Sequence, residues 1–473
     1  MGDRALAASA RAAHNEYNAC GPVGQPVLHD GSNCTPSPPS RPGYRWGTGS
    51  CPLVQREPMW YKPPVTNGPL VHLLLGGTTS NMYTIVNCRL ATRTRVLQDR
   101  WVSLSGNRIE ATGSMKKSPP TDGDVYDAQG GLVSAGFIDM HIHGYSGHSF
   151  SSGKEDDVRA GSVELAKIGT TSFLATVPAM DRADTQAALE AIREVMVRPE
   201  PKGARVLGVH LEGPYLNPEA AGAQDTSHIR PIDLNEVKDW LLFDSRLVKM
   251  MTFAPELDGA EELIRQLARH GVVPALGHTS ATYDETLAAI DAGAWYCTHV
   301  FNAMKRFHHR DPGPLAAIFA REHVHCEYIA DGVHSHPGAL QLLVQAKGCD
   351  RTLLVSDATT LAGTDGDKQA SVAGRTVTVS DGTARTKDGT LAGSVRTIDY
   401  GLRFAFRTLS EEESKVLRMT AMNQARVLAY EEEMGEVAPG MAADLVVLDA
   451  DLRVTHVVVG GKPVEVGSGA KVS

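Results

Sequence analysis

The 473-residue chain has little cysteine, no long apolar run and no excess of positive charge. Its 7 cysteines are scattered, odd in number and without a CxxC pair. That argues against a disulfide framework and for a reducing, cytoplasmic setting. No apolar stretch reaches the ~18 residues needed to span a bilayer. The N-terminal MGDRALAASARAAHNEYNAC lacks the apolar centre of a secretory signal, and Asp3 and Glu16 argue against a transit peptide despite Arg4 and Arg11. Lys plus Arg number 46 against 55 Asp plus Glu, a net charge of −9. This balance gives no electrostatic footprint for nucleic acid or an anionic membrane, but it leaves room for a local basic pocket for one small anion. GxSxG, a P-loop and a GxGxxG after an early strand are all missing.

What is present suffices for a sizeable core: 42% of residues are hydrophobic and 21% charged, a length and balance that suit one large domain plus a smaller one. Residues 20–69 hold 11 of the 26 prolines and show no helical or strand period. Residues 1–69 are therefore expected to form a disordered or surface-draped arm, with Trp46, Trp60 and Tyr61 as the large anchors. Cys20, Cys34 and Cys51 in this arm match no zinc spacing. Beyond it, β-like runs at 83–90, 100–113 and 125–137 are answered at the other end by 443–449 and 453–464. Both ends together predict a small β-sandwich domain built from residues 70–135 and 431–473.

Between them, strands alternate with helices. The predicted strands are 132–142, 170–177, 204–211, 247–255, 272–278, 294–301, 324–330 and 351–357. Helical periods lie at 181–197, with Ala188, Ile192, Val195 and Met196 on one face, and at 259–271, stopping at Gly271. A third, at 282–293, opens on Thr282 and Glu285 at capping-box spacing. Eight alternations predict an α/β fold, a (β/α)8 TIM barrel over 136–430, with an open doubly wound sheet as the runner-up.

The C-terminal strand ends, where barrels build their sites, carry the polar residues. His141 and His143 stand at i and i+2, so both rings can face one side of a strand. His210 with Glu212, then His278, His299, Asp331 with His334, and Asp357 end later strands. Any one of these is more often a cap or a satisfied polar residue. Their conjunction (His141, His143, Glu212, His278, His299 and Asp357 from five strand ends) is an N/O donor set suited to a divalent ion. It favours a metal hydrolase over a barrel that only binds a metal or a sugar. Cys297 and Cys326 fall inside strands and read as core residues, not nucleophiles.

At these residues the chain resembles the amidohydrolase superfamily, and within it the deacetylases of N-acetylglucosamine 6-phosphate. The resemblance rests on SAGFIDMHIHG (134–144), VHLEGPYLNPEAAGA (209–223), LGHTSATYDE (276–285), THVFNAMKRFHHRDPG (298–313), IADGVHSHP (329–337), LVSDATTLAG (354–363) and GTLAGS (389–394), and it runs over about residues 83–465. It implies one or two divalent ions, zinc first, with Fe, Mn, Co and Mg as alternatives. Glu212, His278 and His299 would hold the main ion. His141 and His143 would be candidate ligands of a second, since some members lack the HxH pair and use one. Asp357 matches the general acid/base. Substrate positions match Ala223, Gln224, Asn302, Ala303, Arg310, His334 and the turn Leu391, Ala392, Gly393. The counterpart of Arg310 serves the phosphate and can come from the neighbouring subunit of a homodimer. Many members have a His where this chain has Gln224, which can donate a hydrogen bond but cannot carry a proton. The implied reaction is hydrolysis of the acetamide of N-acetylglucosamine 6-phosphate, with a sugar phosphate as partner and no nucleic acid or membrane. Two alternatives stay open: an amidohydrolase of cyclic amides or nucleobases, and a catalytically silent sugar-phosphate-binding barrel.

Overall fold

A computed structural model of the chain describes residues 82–364, 369–372 and 374–466. The expected arm at 1–69, with Trp46 and Trp60, lies outside the described residues. Strands β1 (Met82–Ala91), β2 (Val96–Ser105), β3 (Arg108–Ser114), β4 (Gly123–Asp127) and β5 (Leu132–Ala135) come first. They share a sheet with β19 (Leu445–Leu448), β20 (Val454–Val459) and β21 (Lys462–Val464), in the order β21-β20-β19-β5-β1-β2-β3, with β4 beside β1. The sheet curls back on itself, since Arg108 at the start of β3 bridges to Ala442 just before β19. The run expected at 100–113 is two strands, because Gly106, at φ 57°, turns the chain between them.

The second sheet is the barrel. It consists of β6 (Phe137–Ile142), β9 (Thr170–Pro178), β10 (Arg205–Glu212), β11 (Val248–Phe253), β12 (Val273–Leu276), β13 (Tyr296–Cys297), β14 (His325–Ile329) and β15 (Thr352–Val355), all parallel. A short ribbon, β7 (Gly144–Tyr145) with β8 (His148–Ser149), follows the first of these. β6 and β15 close the ring through Asp357 N–H to His141 O at 2.8 Å and His143 N–H to Ala358 O at 2.8 Å. Every residue of β9 and β10 is buried, as expected for strands covered on both faces. The stretch read as one strand, 132–142, is instead divided between the two sheets at Gly136. A Cβ there would come within 2.2 Å of the Thr171 side chain, so only glycine lets the chain pass so close to its neighbour.

Helices follow the strands and cover them. α2 (Arg182–Val197) starts at Asp181, whose side chain accepts from Asp184 N–H, and buries Ala188, Ile192, Val195 and Met196. α4 (Ala260–Arg269) buries Leu263, Ile264 and Leu267, each contributing about 1.5–3 kcal/mol of transfer free energy. α5 (Tyr283–Ala292) has the full Thr282–Glu285 capping box and ends at Gly293. Asp444, just before β19, joins the two sheets. Its carboxylate holds the buried Arg205 at 2.6 Å and the Gly460 N–H at 2.7 Å, while its carbonyl accepts from Gly136 N–H. Between β15 and α8 (Ile398–Thr408) the chain inserts an antiparallel ribbon of β16 (Gln369–Val372), β17 (Arg375–Ser380) and β18 (Thr383–Thr386). Sequence reading passed over it, although TVTV at 376–379 alternates and SDG at 380–382 is a turn. Among the described residues no helix is long and apolar enough to cross a membrane.

Candidate active site

At the C-terminal strand ends the imidazoles and carboxylates converge. Glu212 Oε1 lies 3.0 Å from His278 Nε2 and 3.1 Å from His299 Nε2, and the two nitrogens are 3.1 Å apart. Beside them, Asp357 Oδ1 lies 3.3 Å from His143 Nε2 and 3.5 Å from His141 Nε2. Glu212 stands between the groups, with Oε1 3.3 Å from His141 Nε2 and Oε2 3.3 Å from His143 Nε2.

This donor set fits a divalent ion. Ligand atoms ~2.0 Å from a tetrahedral ion stand ~3.3 Å from one another, close to the spacing of the Glu212, His278 and His299 atoms. The ring of His278 turns Nδ1 to the carbonyl of Ala220 at 3.0 Å. A carbonyl only accepts, so Nδ1 carries a proton, and Nε2 is the nitrogen turned to Glu212 and His299. His141 Nε2 is fully buried and has no hydrogen-bond partner, as expected of a nitrogen kept for a metal. His278, His299 and Asp357 all take left-handed backbone conformations, at φ 50°, 27° and 50°. That region is uncommon for non-glycine residues and costs about 1–3 kcal/mol.

The fields are strong because the groups are buried. Burial pushes the Glu212 carboxyl up, but His141, His143 and His278 outweigh it and hold the group well below its ordinary range. Asp357 likewise is raised by burial yet held down to about 2 by His141 and His143. Burial lowers His143, and the Asp357 and Glu212 carboxylates overcome it, taking the ring up to about 9. His299 is lowered, by burial first. His210 is also pushed well down by burial, then by His141; it bonds Thr252 Oγ1 at 2.7 Å and does not line the cavity.

An open cavity of about 250 Å³ rises from this floor. Ala223, Gln224, Asn302, Ala303, His334, Leu391, Ala392 and Gly393 line it together with His143, Glu212, His278, His299 and Asp357. Val372 and Thr390 bring the inserted ribbon and the segment after it to the same rim. His334 donates from Nδ1 to Asp331 Oδ2 at 2.7 Å. Burial lowers this ring, but the Asp331 carboxylate prevails and raises it. Gln224 is placed otherwise than as a free donor over the ion. Its Nε2 donates to Glu212 Oε2 at 2.6 Å and its Oε1 accepts from Ala179 N–H at 2.9 Å, so it steadies the carboxylate. Arg310 does not line the cavity. It is exposed on the loop after β13, with Nη1 2.9 Å from His309 Nε2, while Asp311 pairs with Lys305. Sequence reading missed Glu327, a fully buried carboxylate beneath the floor. Its signal was a carboxylate midway along a strand-like run, two residues after His325.

A barrel with this donor set at its C-terminal mouth is the architecture of a metal-dependent hydrolase. The model of the amidohydrolase family matches residues 132–464, and the chain belongs to that family. Among its relatives, N-acetylglucosamine-6-phosphate deacetylase of Bacillus subtilis (strain 168) is 34% identical over 372 residues, 78% of this chain and 94% of that protein. N-acetylgalactosamine-6-phosphate deacetylase of Escherichia coli O157:H7 is 31% identical, over 79% of this chain and 98% of its own length. The structure is also similar to that of a mutant N-acetyl-D-glucosamine-6-phosphate deacetylase from Mycobacterium smegmatis in complex with N-acetyl-D-glucosamine-6-phosphate. There the TM-score is 0.75 at 34% identity, covering 82% of this chain and 99% of that one.

Proposed function

We propose that the chain removes the acetyl group of N-acetylglucosamine 6-phosphate, giving glucosamine 6-phosphate and acetate, a step of amino-sugar catabolism. The reading is carried by one observation: eight of the nine substrate positions named from the sequence share a cavity with Glu212, His278, His299 and Asp357. Glu212, His278 and His299 would hold the main ion, and His141, His143 and Asp357 a second. A bound divalent ion supplies Lewis acidity to the acetamide carbonyl and to an attacking water. Asp357 takes the proton of that water and returns it to the departing nitrogen. Its lowered pKa keeps it an anion, able to accept, in neutral solution. His334 offers a ring N–H to the sugar phosphate, with Asp331 holding its far side. Asn302, Ala303 and the 391–393 turn shape the wall around the sugar.

Zinc is our first choice of ion, because a His and carboxylate set of this size suits it, and Fe, Mn, Co and Mg are alternatives. We assign a homodimer in which Arg310, exposed outside the cavity of its own chain, serves the phosphate bound by the other copy. The four described cysteines are free thiols, and a charged sugar phosphate does not cross bilayers unaided; both support a cytoplasmic enzyme. The test is acetate release by the metal-loaded protein from N-acetylglucosamine 6-phosphate, its galactosamine epimer and unphosphorylated N-acetylglucosamine. Fastest turnover of the first is expected. A preference for the epimer would correct the sugar. Absence of acetate from all three, with turnover of a cyclic amide, would overturn the reading.

A further inference from the structure

Glu327 lies on β14, inside the barrel and below the candidate metal ligands, and none of it is exposed. Its Oε2 is 3.0 Å from His141 Nδ1 and 3.1 Å from the main-chain N–H of His299. Its Oε1 accepts from the Tyr296 hydroxyl at 3.1 Å. The main-chain N–H can only donate, and the carboxylate gives His141 Nδ1 an acceptor as well. This holds the ring so that Nε2 faces Glu212 and Asp357. Nε2 is also the nitrogen that has no hydrogen-bond partner. The bond to His299 N–H meets a residue in a left-handed conformation, and Glu327 O accepts from the next amide, Val300 N–H, at 2.9 Å. One side chain thus holds the ring of a ligand in one candidate half-site and the backbone of a ligand in the other.

We propose that Glu327 is a positioning residue shared by both half-sites, holding the His141 ring through Nδ1 and the His299 backbone through its N–H so that the two Nε2 atoms face the ions. The inference rests on the metal-site reading above and deepens it. Carboxylates that orient metal-bound imidazoles change metal affinity about 10–100-fold when lost. Nothing in the roles carried by the resemblance includes this residue.

The test uses the full chain and zinc alone, with affinity read by competition against a chromogenic chelator. Glu327→Gln keeps the shape and one acceptor oxygen but loses the charge, and Glu327→Leu loses every acceptor. The expected result is zinc affinity weakened about 10-fold in the first and about 100-fold in the second. Side-chain ¹⁵N shifts of histidine in the metal-free protein should show one ring whose Nδ1 loses its hydrogen bond. A merely structural role would lower the melting temperature of the metal-free chain without changing the affinity of folded protein. If Glu327→Leu does not fold, Glu327→Gln decides alone: wild-type affinity in that folded variant overturns the proposal. A wild-type chain with no zinc affinity, or one whose affinity survives His299→Ala, overturns the metal-site reading itself. The two failures are therefore distinguishable.

Discussion

Replacing Asp357 with Asn separates proton transfer from binding of the main ion. The side chain keeps its size, and its backbone N–H still bonds His141 O across the barrel closure. The triad of Glu212, His278 and His299 does not include it, so the main ion should stay. What is lost is an anion held down to about 2 by His141 and His143, after burial has pushed it the other way. An amide in its place can hold a water but cannot take its proton. General acid/base groups contribute about 10²–10⁴-fold, which at ~1.36 kcal/mol per tenfold is ~3–5 kcal/mol of barrier. The assay is acetate release at saturating substrate, with metal content measured on the same preparation. The variant should retain the main ion, lose the second in part, and fall at least a hundredfold in kcat. A fall below about tenfold with full metal would remove Asp357 from proton transfer. An equal fall accompanied by loss of the main ion would show that Asp357 holds metal instead.

Arg310→Ala should reduce kcat/KM on the 6-phosphorylated sugar and leave weak turnover of unphosphorylated N-acetylglucosamine nearly unchanged; a parallel fall on both would assign Arg310 to the fold or a subunit contact. Asp444→Ala leaves Arg205, only 7% exposed, without its carboxylate and should destabilise the chain by about 3–5 kcal/mol in urea unfolding. A loss under about 1 kcal/mol would mean that the junction between the sheets does not depend on this pair. The Asp331–His334 pair makes a pH prediction. Because folding raises the ring above 6.5, its stabilisation is fully present below pH 6.5 and fades as pH climbs through the higher folded value. Asp331→Asn should lower the His334 titration point in NMR and flatten that part of the stability profile; an unchanged titration point would refute the assignment.

The barrel was legible because strand-like runs alternate with helical periods, several of the runs ending abruptly in a polar residue, and because Thr282 and Glu285 mark a helix start that the structure reproduces. The metal donors were legible for the same reason, as polar residues at the ends of apolar runs. Three features were not. The division at Gly136 depends on the approach of Thr171 from the next strand. The inserted ribbon is short and half exposed, so its alternation is weak against the neighbouring turns. The bonds of Gln224 join residues 45 and 12 positions away, and no local pattern records them.

The deeper limit lies in how the strand ends are held. Left-handed backbone at a non-glycine residue costs about 1–3 kcal/mol, so a local reading would place glycine or asparagine where this chain has His278, His299 and Asp357. Each is fixed by atoms remote in sequence. Thr279, next to His278, is paired on both sides, its N–H to Ala303 O and its carbonyl to Lys305 N–H. His299 is fixed through Glu327, and Asp357 through His141 O and Ser394 N–H. The strain is distributed over bonds that exist only once the barrel has closed. Residue types at the strand ends can thus be read from the chain, while the conformation that aims them is a property of the closed ring. This is why Glu327, which touches the ring of one ligand and the backbone of another, carries no motif of its own.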